Sequence, residues 1–128
     1  MVQTVAVLVV EDEAIIRLGL EDTLQEGGYS PVTACTGEEA RECLQTVEVR
    51  ALVTDVNLGT GLSGWDLARI ARELFPDLPV IYVTSVSRDE WSSQGVPNSI
   101  MIAKPFASAQ VVTAISQLLN APSDGSAI

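Results

Sequence analysis

The chain has 128 residues, 47% of them hydrophobic and only 5% aromatic, with 17 acidic against 7 basic side chains and a net charge of −10. That length supports one domain with an aliphatic core. The acidic balance and the lack of any Lys/Arg cluster argue against a nucleic-acid or anionic-membrane surface, and no apolar stretch reaches the about 20 residues a membrane span needs.

The first residues, MVQTVAVLVVEDEA, have neither a basic n-region nor a small-residue cleavage site, so no signal peptide is expected. Cys35 and Cys43 form no metal-binding pattern, and the absence of His removes the commonest general base and transition-metal ligand. Two free thiols in a cytoplasmic protein are the simplest reading.

The first apolar run, residues 5–10, stops abruptly at Glu11, Asp12 and Glu13. Ile16, Leu20 and Leu24 then mark a helix that Gly27 and Gly28 stop. Residues 31–35 read as a second strand, and the TGEEARECLQ after it opens a helix with a capping box, Thr36 and Glu39. Residues 51–56 are a third strand. Gly59, Gly61 and Gly64 follow it without a GK[ST], so they are a flexible lead-in to a helix and not a P-loop. Ser63 and Asp66 cap that helix, whose Leu67, Ile70, Ala71 and Leu74 fall at i, i+3, i+4 and i+7, with Pro76 beyond its end. Residues 79–85 are a fourth strand. The Ser-rich SVSRDEWSSQGVPNS, interrupted by Gly95 and Pro97, predicts no more than a turn or two of helix. Trp65 and Trp91 read as packing or surface residues, not stacking platforms. Residues 99–103 are a fifth strand, and Val111, Val112, Ile115, Leu118 and Leu119 line one face of a last helix. The closing APSDGSAI, residues 121–128, reads as a flexible tail, which leaves 1–120 as the domain.

Strand and helix thus alternate five times. Apolar runs without alternation are typical of parallel strands covered on both faces. The prediction is an α/β, doubly wound (βα)5 domain with right-handed crossovers, whose ligands sit at the carboxyl ends of the strands.

Those ends carry Glu11, Asp12 and Glu13; Asp55, with Asn57 after it; Thr84 and Ser85; and Lys104 and Pro105. Taken singly they are ordinary. Acids favour the first turn of a helix, Asp55 can cap a loop, Thr84 suits a strand, and Lys104 can be a solvated lysine. Brought to one edge, the carboxylates repel and at least one should have a raised pKa. A hard divalent cation relieves that conflict, and oxygen-only ligands favour Mg²⁺. An Asp beside such a metal, a hydroxyl and an ammonium can accept a phosphoryl group.

In this order the residues resemble the receiver domain of bacterial two-component response regulators, over about residues 5–120. VLVVEDE is similar to the family's acidic-pair strand, LVTDVNL to its phosphoacceptor strand, VIYVTS to its hydroxyl strand and IAKPF to its Lys-Pro signature. The resemblance implies a flavodoxin-like sheet in the order 2-1-3-4-5. It implies that Asp55 takes a phosphoryl group from a histidine kinase or a histidine phosphotransfer protein. Mg²⁺ would be held directly by Asp12 and Asp55, by Glu11 through water and by the Asn57 backbone carbonyl. Thr84 and Lys104 would bind the phosphoryl oxygens, and the Lys104–Pro105 bond would be cis. A protein target would dock on the fourth helix, fifth strand and fifth helix. No output domain follows, so the chain is expected to act alone as a signalling switch and not as an enzyme.

Three departures stand out. Met101 replaces the family's usual aromatic, the stretch from Thr84 to Lys104 is short, and the loop NLGTGLSG is longer and lacks the common Pro. This resembles atypical receivers with a reworked fourth helix. One alternative is a receiver-like module that binds partners without phosphorylation. The other is a Mg²⁺-dependent phosphohydrolase of the haloacid-dehalogenase type, but that needs a DxD nucleophile on the first strand, where Glu11-Asp12-Glu13 stands.

Overall fold

Five strands and five helices alternate along residues 5–120, the residues described in this computed structural model. They are β1 (Ala6–Val10), α1 (Ala14–Glu26), β2 (Ser30–Ala34), α2 (Gly37–Thr46), β3 (Ala51–Thr54), α3 (Gly64–Leu74), β4 (Val80–Thr84), α4 (Arg88–Gln94), β5 (Ile100–Ala103) and α5 (Ser108–Asn120). The expected tail, residues 121–128, lies outside the described residues. All strand pairs are parallel, in the order β2-β1-β3-β4-β5, the flavodoxin-like arrangement. Among the described residues no helix is long and apolar enough to cross a membrane.

The continuous apolar strands are explained by their two covered faces. Val7 and Val9 of β1, Ala51 and Val53 of β3, and Ile81 and Val83 of β4 pack with Leu20, Leu24, Val111 and Ile115 of α1 and α5. Their neighbours Leu8, Val10, Leu52, Val80 and Tyr82 point the other way, onto Ala40, Leu44, Leu67, Ala68 and Ala71 of α2 and α3. Period-two alternation along each strand therefore feeds two cores with apolar side chains.

The caps differ in detail from the sequence reading. Ser63 and Asp66 form the full reciprocal box at α3. At α2, Thr36 Oγ1 accepts from Glu39 N, but the Glu39 carboxylate turns one residue further back, to Cys35 N at 2.7 Å. Leu74, expected on the buried face of α3, is 46% exposed. It is the last residue of its helix, and Trp65 and Ala68 fill the core-facing surface instead. Gly64 is no flexible linker: a Cβ there would overlap the Asp55 carbonyl oxygen and sit 2.8 Å from Val56 Cα, so glycine lets α3 start against the end of β3.

α4 is the short helix expected, and none of its residues is buried. Tyr82 reaches towards the segment that follows it. Fully buried in β4, its ring meets Trp65 edge-on at 4.7 Å, and its hydroxyl accepts from the buried Val96 amide at 3.2 Å. Tyr82→Phe leaves that amide unpaired and is expected to cost about 1–3 kcal/mol. The check is a lower urea midpoint with an unchanged slope.

Candidate functional site

The register carries three strand ends to one edge. Val10 pairs with Ala34 and Thr54, and Thr84 pairs with Ala103. One residue further on, backbone bonds extend the ladder: Glu11 N to Ala34 O at 3.1 Å, Asp55 N to Val10 O at 3.0 Å, and Lys104 N to Thr84 O at 2.9 Å. The side chains of Glu11, Asp55 and Lys104 thus start from fixed neighbouring points.

Their environments differ sharply. Glu11 is fully buried and Asp55 is buried, whereas Asp12 and Glu13 are exposed. Glu13 stands at the N-cap of α1 but makes no side-chain cap bond, and the first turn holds no acid. The acidic run is therefore not explained by helix capping. Glu11, Asp12 and Asp55 can each offer an oxygen within 4.8 Å of the others. Lys104 Nζ lies 2.9 Å from Glu11 Oε1, 2.9 Å from Asp55 Oδ2 and 3.7 Å from Glu13 Oε1.

Burial pushes the Glu11 carboxyl above its ordinary 4.5; the Lys104 contact and the Glu13 amide pull it back, and the Asp55 charge adds to the rise. Burial alone would lower the Lys104 ammonium, but its bonds to Asp55 and Glu11 prevail and push it up to about 12. The buried Glu11 Oε1 meets only the Lys104 ammonium, at 2.9 Å, and that ammonium is shared with Asp55. A carboxylate oxygen left in that state, inside a cluster with surplus negative charge, suits a hard cation or its bound water.

Around this cluster Asp55 Oδ1 accepts from Val56 N at 2.6 Å, and Thr54 Oγ1 donates to Asp55 O at 2.7 Å. Thr84 is buried, and its hydroxyl accepts from Val86 N at 3.2 Å. Asn57 is exposed in the β3–α3 loop. The Lys104–Pro105 peptide is cis. Met101 is half-buried in β5, in register with Tyr82 and outside the carboxylate cluster.

A family model described as the response regulator receiver domain matches residues 7–116. The chain belongs to that family. This receiver superposes on a response regulator receiver protein from Sinorhizobium medicae with a TM-score of 0.89 and 42% identity, covering 93% of this chain and 97% of that one. The response regulator TrrA of Thermotoga maritima, solved in complex with Mg(2+)-BeF, aligns with a TM-score of 0.78 and 30% identity, over 90% and 99% of the two chains. The sensor kinase CckA of Brucella abortus is 32% identical over 119 residues, 89% of this chain. The receiver spans only 12% of CckA, and at most 43% of three other curated relatives.

Sequence reasoning missed three features of this receiver. Ile15 is 86% exposed and Leu18 is 55% exposed on α1, and Ile15 lines a groove of about 370 Å³ with Lys104, Pro105 and Phe106. The adjacent pair Ile15-Ile16 was a usable signal, because the helix turns only one of them well into the core. Arg17 donates to the Glu11 carbonyl at 2.8 Å, and Glu38 reaches across to Leu62. No local pattern announces either contact.

Breaking a fully buried ion pair costs about 3–5 kcal/mol. Lys104 keeps a solvent-facing side, so Lys104→Met is expected to lose about 1–3 kcal/mol at neutral pH without added metal. The folded ammonium titrates above its ordinary 10.5. Its contribution is therefore complete below pH 10.5 and is lost as pH rises towards about 12. The stability gap between wild type and variant should close across that window in chemical denaturation. A gap unchanged at pH 12 would assign the loss to packing instead.

Proposed function

We propose that this receiver is a phosphorylation-controlled binding switch with Asp55 as its phosphoacceptor. An Asp55 carboxylate oxygen attacks the phosphorus of a phosphohistidine on a histidine kinase or histidine phosphotransfer protein. The new P–O bond forms as the P–N bond breaks, and the imidazole nitrogen departs with the electron pair. Glu11, Asp12, Asp55 and the Asn57 backbone carbonyl would hold Mg²⁺. When bound, Mg²⁺ neutralises charge on the transferring oxygens. The observation that carries this reading is the three-carboxylate cluster of Glu11, Asp12 and Asp55, with Glu11 and Asp55 buried and sharing the single Lys104 ammonium. The Mg(2+)-BeF bound by TrrA supports the same choice of ion.

The remaining roles follow from contacts. Lys104, 2.9 Å from Asp55 Oδ2, is placed to bind a phosphoryl oxygen. The Thr84 hydroxyl can donate a hydrogen bond to another while it accepts from the Val86 amide just before α4, which links that oxygen to the start of the helix. Phosphorylation would then bias a pre-existing equilibrium, felt first at α4, the helix with no buried residue. The exposed Ile15 beside Lys104 suits contact with the phosphodonor. The groove of about 390 Å³ lined by Ile100, Ile102, Ala109 and Thr113 suits a protein target on the α4–β5–α5 side. Residues 1–120 form the receiver unit in this reading, acting in the cytoplasm as a switch without steady substrate turnover.

With Mg²⁺ and acetyl phosphate, mass spectrometry is expected to find one labile phosphoryl group, absent in Asp55→Asn and after chelation. An adduct that survives Asp55→Asn, or none in wild type, overturns the assignment.

Proton and cation also compete for Glu11. Its carboxyl titrates above 4.5, so Mg²⁺ affinity should fall as pH drops through that raised value. Calorimetric titration of Glu11→Gln should show weaker binding with a flatter pH dependence.

A further inference from the structure

We infer that Glu38 of α2 is a positioning residue for the metal side of the site: it latches the β3–α3 loop, and with it the Asn57 carbonyl. This rests on the Mg²⁺ reading above. The loop leaves β3 just after Asp55 and returns where Gly64 N donates to Val56 O at 2.8 Å. Leu58 anchors it by burial. Among the described residues, a single hydrogen bond reaches residues 57–62 from another element: Leu62 N donates to Glu38 Oε2 at 2.9 Å.

Two glycines shape the junction around that carboxylate. Gly61 has φ +94°, and a Cβ there would overlap the Glu38 carboxylate. On the other side Gly37 opens α2 so close to the loop that a Cβ would sit 2.6 Å from Leu62 Cβ and 2.7 Å from Leu62 O. The Leu62 amide, in turn, holds the Glu38 carboxyl below its ordinary value.

A backbone carbonyl can serve a metal only when its loop is held. Gly59 and Gly61, both with positive φ, would otherwise widen the loop's conformational choice. Groups that orient ligands typically change metal affinity about 10–100-fold, and Glu38 acts one step further out, so about 3–10-fold is expected here.

The full chain would be titrated with Mg²⁺ as wild type, Glu38→Ala and Glu38→Gln, with Leu62 amide exchange followed by NMR in metal-free protein. Glu38→Gln keeps an acceptor for the Leu62 amide and drops the charge. The expected result is about 3–10-fold weaker Mg²⁺ binding and faster Leu62 exchange in Glu38→Ala, with most of both restored in Glu38→Gln. Wild-type affinity in Glu38→Ala overturns the latch, and so does a Gln variant as weak as Ala, which would signal a long-range charge effect. A wild type that binds no Mg²⁺ overturns the metal reading and the latch with it. Bound Mg²⁺ that ignores Glu38 removes the latch alone.

Discussion

The Lys104 ammonium, 2.9 Å from both Glu11 and Asp55, is the contact that lets three strand ends close on one edge. Two like charges 4 Å apart repel by about 4 kcal/mol at the effective dielectric near a protein surface. That is a large part of the about 5–15 kcal/mol by which a domain is stable. One ammonium relieves the Glu11–Asp55 conflict but cannot balance Asp12 and Glu13 as well. The edge therefore stays electronegative, with two buried carboxylates sharing one ammonium. An arrangement stable enough to fold, yet short of positive charge, suits a hard divalent cation.

Around that edge the chain trades side-chain volume for close approach. Gly64 lets α3 start against the Asp55 carbonyl, and Gly37 lets α2 start against Leu62. Both helices are thereby set directly beside the acidic edge. α4 is held differently. Arg69 donates at 3.1 Å to the Gln94 carbonyl at its end, and Arg72 donates at 2.6 Å to Pro97 O in the segment after it. These α3 guanidiniums add hydrogen bonds to the apolar contact that half-buried Trp91 of α4 makes with the core. A helix secured by a few polar contacts opens more easily than one secured by a core. Its leading edge adjoins Thr84 through the Val86 amide, so α4 begins beside the site.

The elements themselves were legible because their signals are local. Continuous apolar runs, the Ser63–Asp66 box, and Gly95 and Pro97 after a weak helix each act over a few residues, and the structure places strands and helices accordingly. Misjudged details came from neighbours a local pattern cannot see. Leu74 kept the helical period but fell at the end of its helix, and Glu39 found the Cys35 amide instead of the Thr36 one. The strand order came from the family resemblance, since periodicity alone does not say which parallel strands adjoin.

By itself the sequence determined the succession of elements and which residue leaves each strand, because burial pattern and capping are written in adjacent positions. Tertiary structure alone decided that Glu11 is buried while Asp12 is exposed. It alone decided that one lysine serves Glu11 and Asp55 together, and that Glu38 reaches Leu62. Those contacts join residues 24, 49 and 93 positions apart, and only the parallel register and the glycine-permitted close approaches bring them within bonding distance.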